Sequence, residues 1–226
     1  MFGGPKSSLR SAALPFIVAD VEVYHDTRRE FIKLTGANVF EVFDGINKSF
    51  SHMQSACAAS EFLIRTSAFG GEYPQALSMI TALLRELANV DESEALLVLS
   101  AFFWNALSPL GLIPDLLSCE RCGRSFSEKN SLPGKLLINE SSFLCHNCAE
   151  EFRQMGLSTS AMLPFDEKVL TCLRSITKLS YSEALPLLKS ASLRPEIIAI
   201  IESLAESAAE GPLQSLRVFG ETFYGT

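Results

Sequence analysis

The chain has 226 residues, 47% of them hydrophobic and 20% charged, which excludes a disordered chain and is enough to bury a sizeable core in one domain or two. Lys and Arg number 19 against 26 Asp and Glu, for a formal net charge of −7. That balance excludes a generally basic nucleic-acid binder and leaves room for a local basic patch or for protein partners.

Lys6 and Arg10 precede an apolar run, Ala12 to Val18, in loose imitation of a secretory leader. Asp20 and Glu22 end that run while its alternation continues, so no leader is expected. Ile17, Ala19, Val21 and Val23 are apolar at every second position, which predicts a strand over 16–24 with one buried face. Asp26-Thr-Arg-Arg29 reads as a turn. Glu30 to Thr35 reads as a second strand stopped by Gly36, giving an antiparallel hairpin.

From about Asn38 the pattern reads as helical outside one cysteine-bearing segment. Val39, Phe40, Val42 and Phe43 suggest a short amphipathic turn or two. Ser51 to Phe69 carries apolar residues near 3.6 spacing, and Gly70-Gly71 ends it. Pro74 suits the first turn of the next helix, Ala76 to Val90. Ala95 to Pro114 then runs twenty residues without a charge, long enough to cross a bilayer. Asn105, Ser108, Pro109 and Gly111 interrupt it, and acidic residues flank it where Lys or Arg anchors belong, so a central helix wrapped by others is expected instead. Later helices are expected over 149–155, 166–179, 182–188 and 195–208, and Gly211-Pro212 breaks the chain before a short tail, Leu213 to Phe219.

Cys119-Glu-Arg-Cys122 and Cys145-His-Asn-Cys148 are the strongest chemical signal. Each pair bites one tetrahedral ion with two thiolates, and together they supply the four-cysteine set of a structural zinc ribbon. Gly123 suits a knuckle that needs positive φ. Four thiolates close the site, so the metal holds the fold and does no chemistry. His146 is expected on the surface. Cys57 and Cys172 lie alone in helical patterns and read as small buried hydrophobes, and this cysteine usage suits a reducing cytosol. The expected fold class is α+β, mainly α: a small β piece, a bundle of six or seven helices, and a zinc ribbon inserted between bundle helices.

No enzyme is expected. None of His25, His52 and His146 sits in a His-Glu-x-x-His motif or beside a serine elbow. The deaminase signature is absent, and so is a phosphate-cradling glycine loop.

Three stretches together resemble the RecO family of bacterial recombination mediator proteins. Pro5-Lys-Ser-Ser-Leu-Arg-Ser-Ala-Ala-Leu-Pro-Phe16 is similar to the basic loop entering the fourth strand of that family's OB-fold. Gly111-Leu-Ile-Pro-Asp-Leu-Leu-Ser-Cys119-Glu-Arg-Cys122-Gly123, with Phe143-Leu-Cys145-His-Asn-Cys148-Ala, resembles the family's junction from helix to ribbon. Gly211-Pro-Leu-Gln-Ser-Leu-Arg217 is similar to its C-terminal segment.

The resemblance implies a partial OB-fold over 1–37, an α-helical bundle over 38–117 and 150–226, and a ribbon over 118–149. An OB-fold has five strands and only about two fit here, so its first three strands are expected to be missing. Gln214 and Leu216 stand where relatives tend to carry basic residues. The implied role is binding of single-stranded DNA, strand annealing and, indirectly, loading of RecA, in the bacterial cytoplasm at the nucleoid. The implied partners are RecR and the acidic C-terminal tail of single-stranded DNA-binding protein, with no membrane. A site for that tail needs a hydrophobic groove with a cation; Arg174 and Lys178 are candidates for the cation, and the sequence does not fix the position.

Candidate phosphate contacts are Lys6, Arg10, Arg28, Arg29 and Lys33, with Phe16, Tyr24 and Phe31 nearby as aromatic faces. Phe16 and Phe31 read as core rather than as stacking platforms. Arg121 and Arg124 offer a second patch, offset by Glu120 and Glu128. Residues 1–48 hold six basic and six acidic residues, so DNA binding is expected to be weak and salt-sensitive. The rival expectation is a zinc-containing adaptor that binds proteins and no DNA.

Overall fold

The computed structural model describes residues 9, 14–66, 73–126, 133–155, 162–191 and 194–217. Their elements run β1 (Ile17–Asp26), β2 (Phe31–Val42), α1 (Phe50–Arg65), α2 (Tyr73–Asn89), α3 (Ala95–Leu107), β3 (Gly134–Leu137), β4 (Ser142–Leu144), α4 (His146–Gln154), β5 (Met162–Phe165), α5 (Glu167–Thr177), α6 (Tyr181–Ser190) and α7 (Arg194–Ala208). The fold is mainly helical with two small antiparallel sheets, β1-β2 and β4-β3-β5.

The uncharged helix is the axis of the bundle. α3 is buried along nearly its whole length and packs against α1, α2, α6 and α7. Phe62 of α1 meets Phe102 and Phe103 of α3 at centroid distances of 6.3 and 5.2 Å, in edge-on and tilted geometry that suits the ring quadrupoles. Trp104 is buried and donates its indole N–H to Thr177 Oγ1 at 3.1 Å, and half-buried Tyr181 donates to the Val98 carbonyl at 3.2 Å. Among the described residues no helix is long and apolar enough to cross a membrane. α3 stops at Leu107 because the chain closes a Schellman motif. Leu112 N–H bonds Leu107 O, Gly111 N–H bonds Ser108 O, and Gly111 takes φ 69°, a conformation costly for any residue with a Cβ. α1 ends at Arg65, and the stop expected at Gly70-Gly71 lies outside the described residues.

The hairpin departs from expectation in two ways. β2 does not stop at Gly36 but runs on to Val42, so the amphipathic turn expected at 39–43 is strand as far as Val42. A bulge explains the misreading. Glu22 pairs with Gly36 and Val23 with Leu34, which leaves Thr35 unpaired and shifts the side-chain alternation by one. At Gly36 a Cβ would press on the Glu22 side chain, so the residue marks a close approach rather than an end. The turn is as expected, with Asp26 Oδ1 accepting the Arg28 and Arg29 N–H groups at 3.0 and 3.3 Å. The second departure is burial. The apolar face forms, but Val21, Val23 and Ile32 on it stay 55–66% exposed.

Where the hairpin meets the bundle, side chains cap the C-terminal end of α2. Lys48 Nζ donates to Ala88 O at 3.2 Å, and the His52 ring donates Nε2–H to Val90 O at 3.1 Å. With Nε2–H spent on that carbonyl, His52 Nδ1 accepts a hydrogen bond from the Ser49 hydroxyl at 2.6 Å. This Ser–His pair is a helix cap: the ring is buried and its other nitrogen is spent on a backbone carbonyl. Arg85 grips Glu41 of β2 with two bonds of 2.9 and 2.7 Å.

At the other end the tail straps back onto α1. Glu61 accepts the N–H groups of Gln214 and Ser215, each at 2.9 Å, Arg65 donates to Pro212 O at 2.6 Å, and Leu213 is fully buried. The described tail is a short helical turn up to Arg217. Cys57 and Cys172 are half-buried rather than buried, and loss of solvent raises both thiols.

Glu202 on α7 is pushed up to about 7, first by loss of solvent and then by the Glu206 carboxylate. Its folded pKa exceeds the unfolded one, so the folded state binds the extra proton, and stability falls as pH rises from the ordinary range through about 7. Glu202→Gln is therefore expected to be about 2 kcal/mol more stable than the parent at pH 8, with the gap closing toward pH 5. Denaturant melts of both proteins at the two pH values test this, and an equal gap at both would refute it.

Candidate metal centre and nucleic-acid interface

Cys119 and Cys122 sit in a knuckle closed by backbone bonds. Gly123 N–H bonds Cys119 O and Cys119 N–H bonds Arg124 O, both at 2.8 Å. Gly123 takes φ 71° with nothing within 4 Å of where a Cβ would sit, so backbone conformation and not space demands glycine there. Cys145 is the N-cap of α4 and Cys148 lies in its first turn. The two corners are joined by Glu120 N–H donating to Phe143 O at 3.1 Å. All four Sγ atoms lie within 4.8 Å of one another, and Cys122 Sγ is 3.8 Å from Cys145 Sγ. A tetrahedral ion with bonds of about 2.3 Å sets its sulfurs ~3.8 Å apart, so this cluster can hold a metal ion. His146 is exposed, as expected.

The electrostatics of the cluster are those of closely packed thiols that can hold a cation. Loss of solvent alone would raise the Cys119 thiol, but N–H groups of Cys145, Cys122 and Arg121 aimed at its sulfur bring it down to about 7. Cys145 and Cys148 are raised, first by burial and then by the neighbouring sulfurs. Four thiolates this close repel one another, and a divalent ion at their centre removes that cost.

The three-stranded sheet backs the cluster. The sequence pattern does not announce β5; it pairs along β3 and brings Phe165 against Phe143 and Phe126, at 4.8 and 5.5 Å between centroids. Gly134 of β3 lies beneath this ring, where a Cβ would overlap both Phe165 and the Leu144 carbonyl. Asp115 accepts the Leu117 N–H and the Ser118 hydroxyl at 2.7 and 2.5 Å; those bonds, the hydroxyl first, hold its carboxyl below the usual range. Arg174 of α5 donates twice to Leu116 O, at 2.9 and 2.5 Å, tying the entry of this segment to the bundle. Arg174 thus has a structural task that sequence reasoning missed, and no local signal announced it. Lys178, just past α5, is exposed. Arg121 stacks over Phe152 at 4.7 Å and pairs with Glu151 at 3.6 Å, while Arg124 is exposed.

The candidate phosphate contacts divide. Lys6 and Arg10 lie outside the described residues. Arg28 and Arg29 are exposed in the β1–β2 turn, and Lys33 is exposed on β2. Tyr24 pairs across the strands with Lys33, and Asp26 with Phe31. Those four share a shallow concave face with Arg29 and Thr35. Phe31 is 53% exposed and Tyr24 56%, so Phe31 is not core as expected; among the described residues no layer covers the hairpin tip. Phe16, half-buried, does pack against the core. Register sets Tyr24 opposite Lys33 and Phe31 opposite Asp26, an arrangement that composition does not reveal.

A mainly helical bundle bearing a β hairpin and a four-thiol cluster able to hold a metal ion defines the class. Residues 48–161, just over half the chain, match the family described as Recombination protein O C terminal. The chain belongs to that family, RecO. It is also similar to the DNA repair protein RecO of Pelobacter propionicus, 26% identical over 172 residues that cover 76% of this chain and 65% of the relative. The chain therefore spans less than two thirds of that relative's length.

Gly134→Ala is expected to destabilise the protein by about 1–3 kcal/mol through overpacking against Phe165. Chemical denaturation reads it directly; a change below ~0.5 kcal/mol would contradict the geometry.

Proposed function

We propose that this chain holds one structural zinc ion through Cys119, Cys122, Cys145 and Cys148 and serves as a DNA repair and recombination mediator. It binds single-stranded DNA weakly and does no catalysis. The observation that carries the DNA reading is the open face on which Tyr24, Phe31, Lys33 and Arg29 surround a single carboxylate, Asp26, whose Oδ1 is bonded by the turn N–H groups. Exposed rings stack on bases of any sequence, and neighbouring cations meet phosphates. Arg28 in the adjoining turn adds to that charge, and Lys6 and Arg10 are assigned the same task on the family resemblance. Residues 1–37 act as the partial OB-fold, 118–149 as the ribbon, and 38–117 with 150–226 as the helical body.

Partners follow from the same reading. A cleft of about 440 Å³ is lined by Met79, Phe102, Trp104, Ile113, Ile176 and Leu179, and Lys178 lies in sequence between the last two. The cleft's apolar side chains suit the hydrophobic part of the tail of single-stranded DNA-binding protein, while Gln75, Ser78, Asn105 and Ser108 line the rest of it with hydrogen-bonding groups. RecR is the second partner, and RecA loading the indirect outcome, in the bacterial cytoplasm at the nucleoid. The acidic balance of the chain, −7 overall, favours one alternative: an adaptor that engages proteins through ribbon and bundle without DNA. Capture of RecR with no strand annealing would select the adaptor.

Elemental analysis of the purified chain is expected to find about one zinc per molecule, and chelation to unfold the ribbon region first. Fully folded, metal-free material would refute the zinc reading.

In fluorescence anisotropy with a labelled oligonucleotide, affinity is expected to be roughly micromolar and to fall steeply with salt. Tyr24→Ala and Phe31→Ala should each cost about 1–3 kcal/mol. Lys33→Gln should reduce the salt slope by about one. Nanomolar binding insensitive to salt would overturn the assignment.

A further inference from the structure

Of the four clustered cysteines, three are buried and one is not. Cys119, Cys145 and Cys148 are at most 9% exposed, whereas Cys122 lies on the surface. The sulfur 3.8 Å from Cys122 is Cys145, which belongs to the other corner. Any small oxidant therefore meets Cys122 first, and a thiol of the opposite corner stands ready behind it. We propose that Cys122 is an oxidation site for peroxides and that Cys145 resolves it, so that a disulfide replaces the metal as the link between the two corners.

The chemistry balances with hydrogen peroxide as the oxidant. The Cys122 thiolate attacks one peroxide oxygen; an S–O bond forms, the O–O bond breaks, and hydroxide leaves. The Cys145 thiolate then attacks the Cys122 sulfur; the S–S bond forms, the S–O bond breaks, and a second hydroxide leaves. Two thiolates lose two electrons in all, and one peroxide gains them. The ion keeps only Cys119 and Cys148 and is released. Two bonds within the corners, Cys119–Cys122 and Cys145–Cys148, would each close a loop of four residues and leave the corners without a covalent or metal link, held by the Glu120–Phe143 hydrogen bond and the contacts of Arg121 with Glu151 and Phe152. The crossed bond does the opposite: it pins the first knuckle to the start of α4. The phenylalanine-backed sheet beneath then stays in place, and thiol reductant with zinc restores the original state.

This inference rests on the zinc reading, and the two fail differently. The full chain is first assayed for zinc without oxidant; absence there defeats the zinc reading. It is then treated with hydrogen peroxide in the presence of a chromogenic zinc chelator, alkylated, and mapped by mass spectrometry under non-reducing conditions. The expected result is one zinc released per chain together with a Cys122–Cys145 disulfide, both reversed by dithiothreitol and zinc. Cys122→Ser is expected to slow release by about tenfold or more, since the remaining thiols are shielded. Bonds within either corner, sulfinic acid without a disulfide, or oxidation starting at a buried cysteine would overturn the proposal from the parent chain alone, whether or not the variant folds.

Discussion

Thirteen consecutive residues without a charge, Ala95–Leu107, leave the chain no choice but to surround them. Water is a poor solvent for every face of α3, so α1, α2, α6 and α7 close around it, and the aromatic cluster of Phe62, Phe102 and Phe103 fills the contact. The rest hangs from the two ends of that arrangement. The Schellman turn after Leu107 aims the chain toward the cysteine segment, and Arg174 fastens the entry of that segment by its grip on Leu116 O.

The two appendages solve opposite problems. Among its described residues the cysteine segment is tied together: Glu120 of one knuckle bonds Phe143 O beside the other, α4 caps on Cys145, and three phenylalanines pack edge-on behind. Its four sulfurs lie within 4.8 Å of one another, close enough to hold a metal ion. The hairpin instead keeps its surfaces open. Glu41–Arg85 and the capping of α2 by Lys48 and His52 hold its base, while beyond the base both faces carry exposed apolar side chains. A two-stranded ribbon without a covering layer is marginal by itself, so its order depends on that anchored base.

Much of this is legible in the sequence because the signals are local. The cysteine spacing, the uncharged run, the helix stop at Gly111 and the Asp26 turn each depend on residues a few positions apart. What escapes is non-local. The alternation ends β2 too early because a bulge at Thr35 breaks it. β5 is four residues long and becomes a strand only by lying along β3. Phe31 looks like core in the sequence because its burial depends on whether a layer covers the hairpin tip, and Arg174 looks like a surface cation because its acceptor is 58 residues away.

From its sequence alone, then, the chain determined which residues can ligate a metal, which helix must be central, and where turns and caps fall, since these follow from side-chain chemistry and short-range periodicity. Tertiary structure decided which apolar side chains remain in water and which aromatic rings share a face with cations. It decided too that one cysteine of four faces solvent. Those properties belong to surfaces, and a surface exists only after distant segments have been brought together.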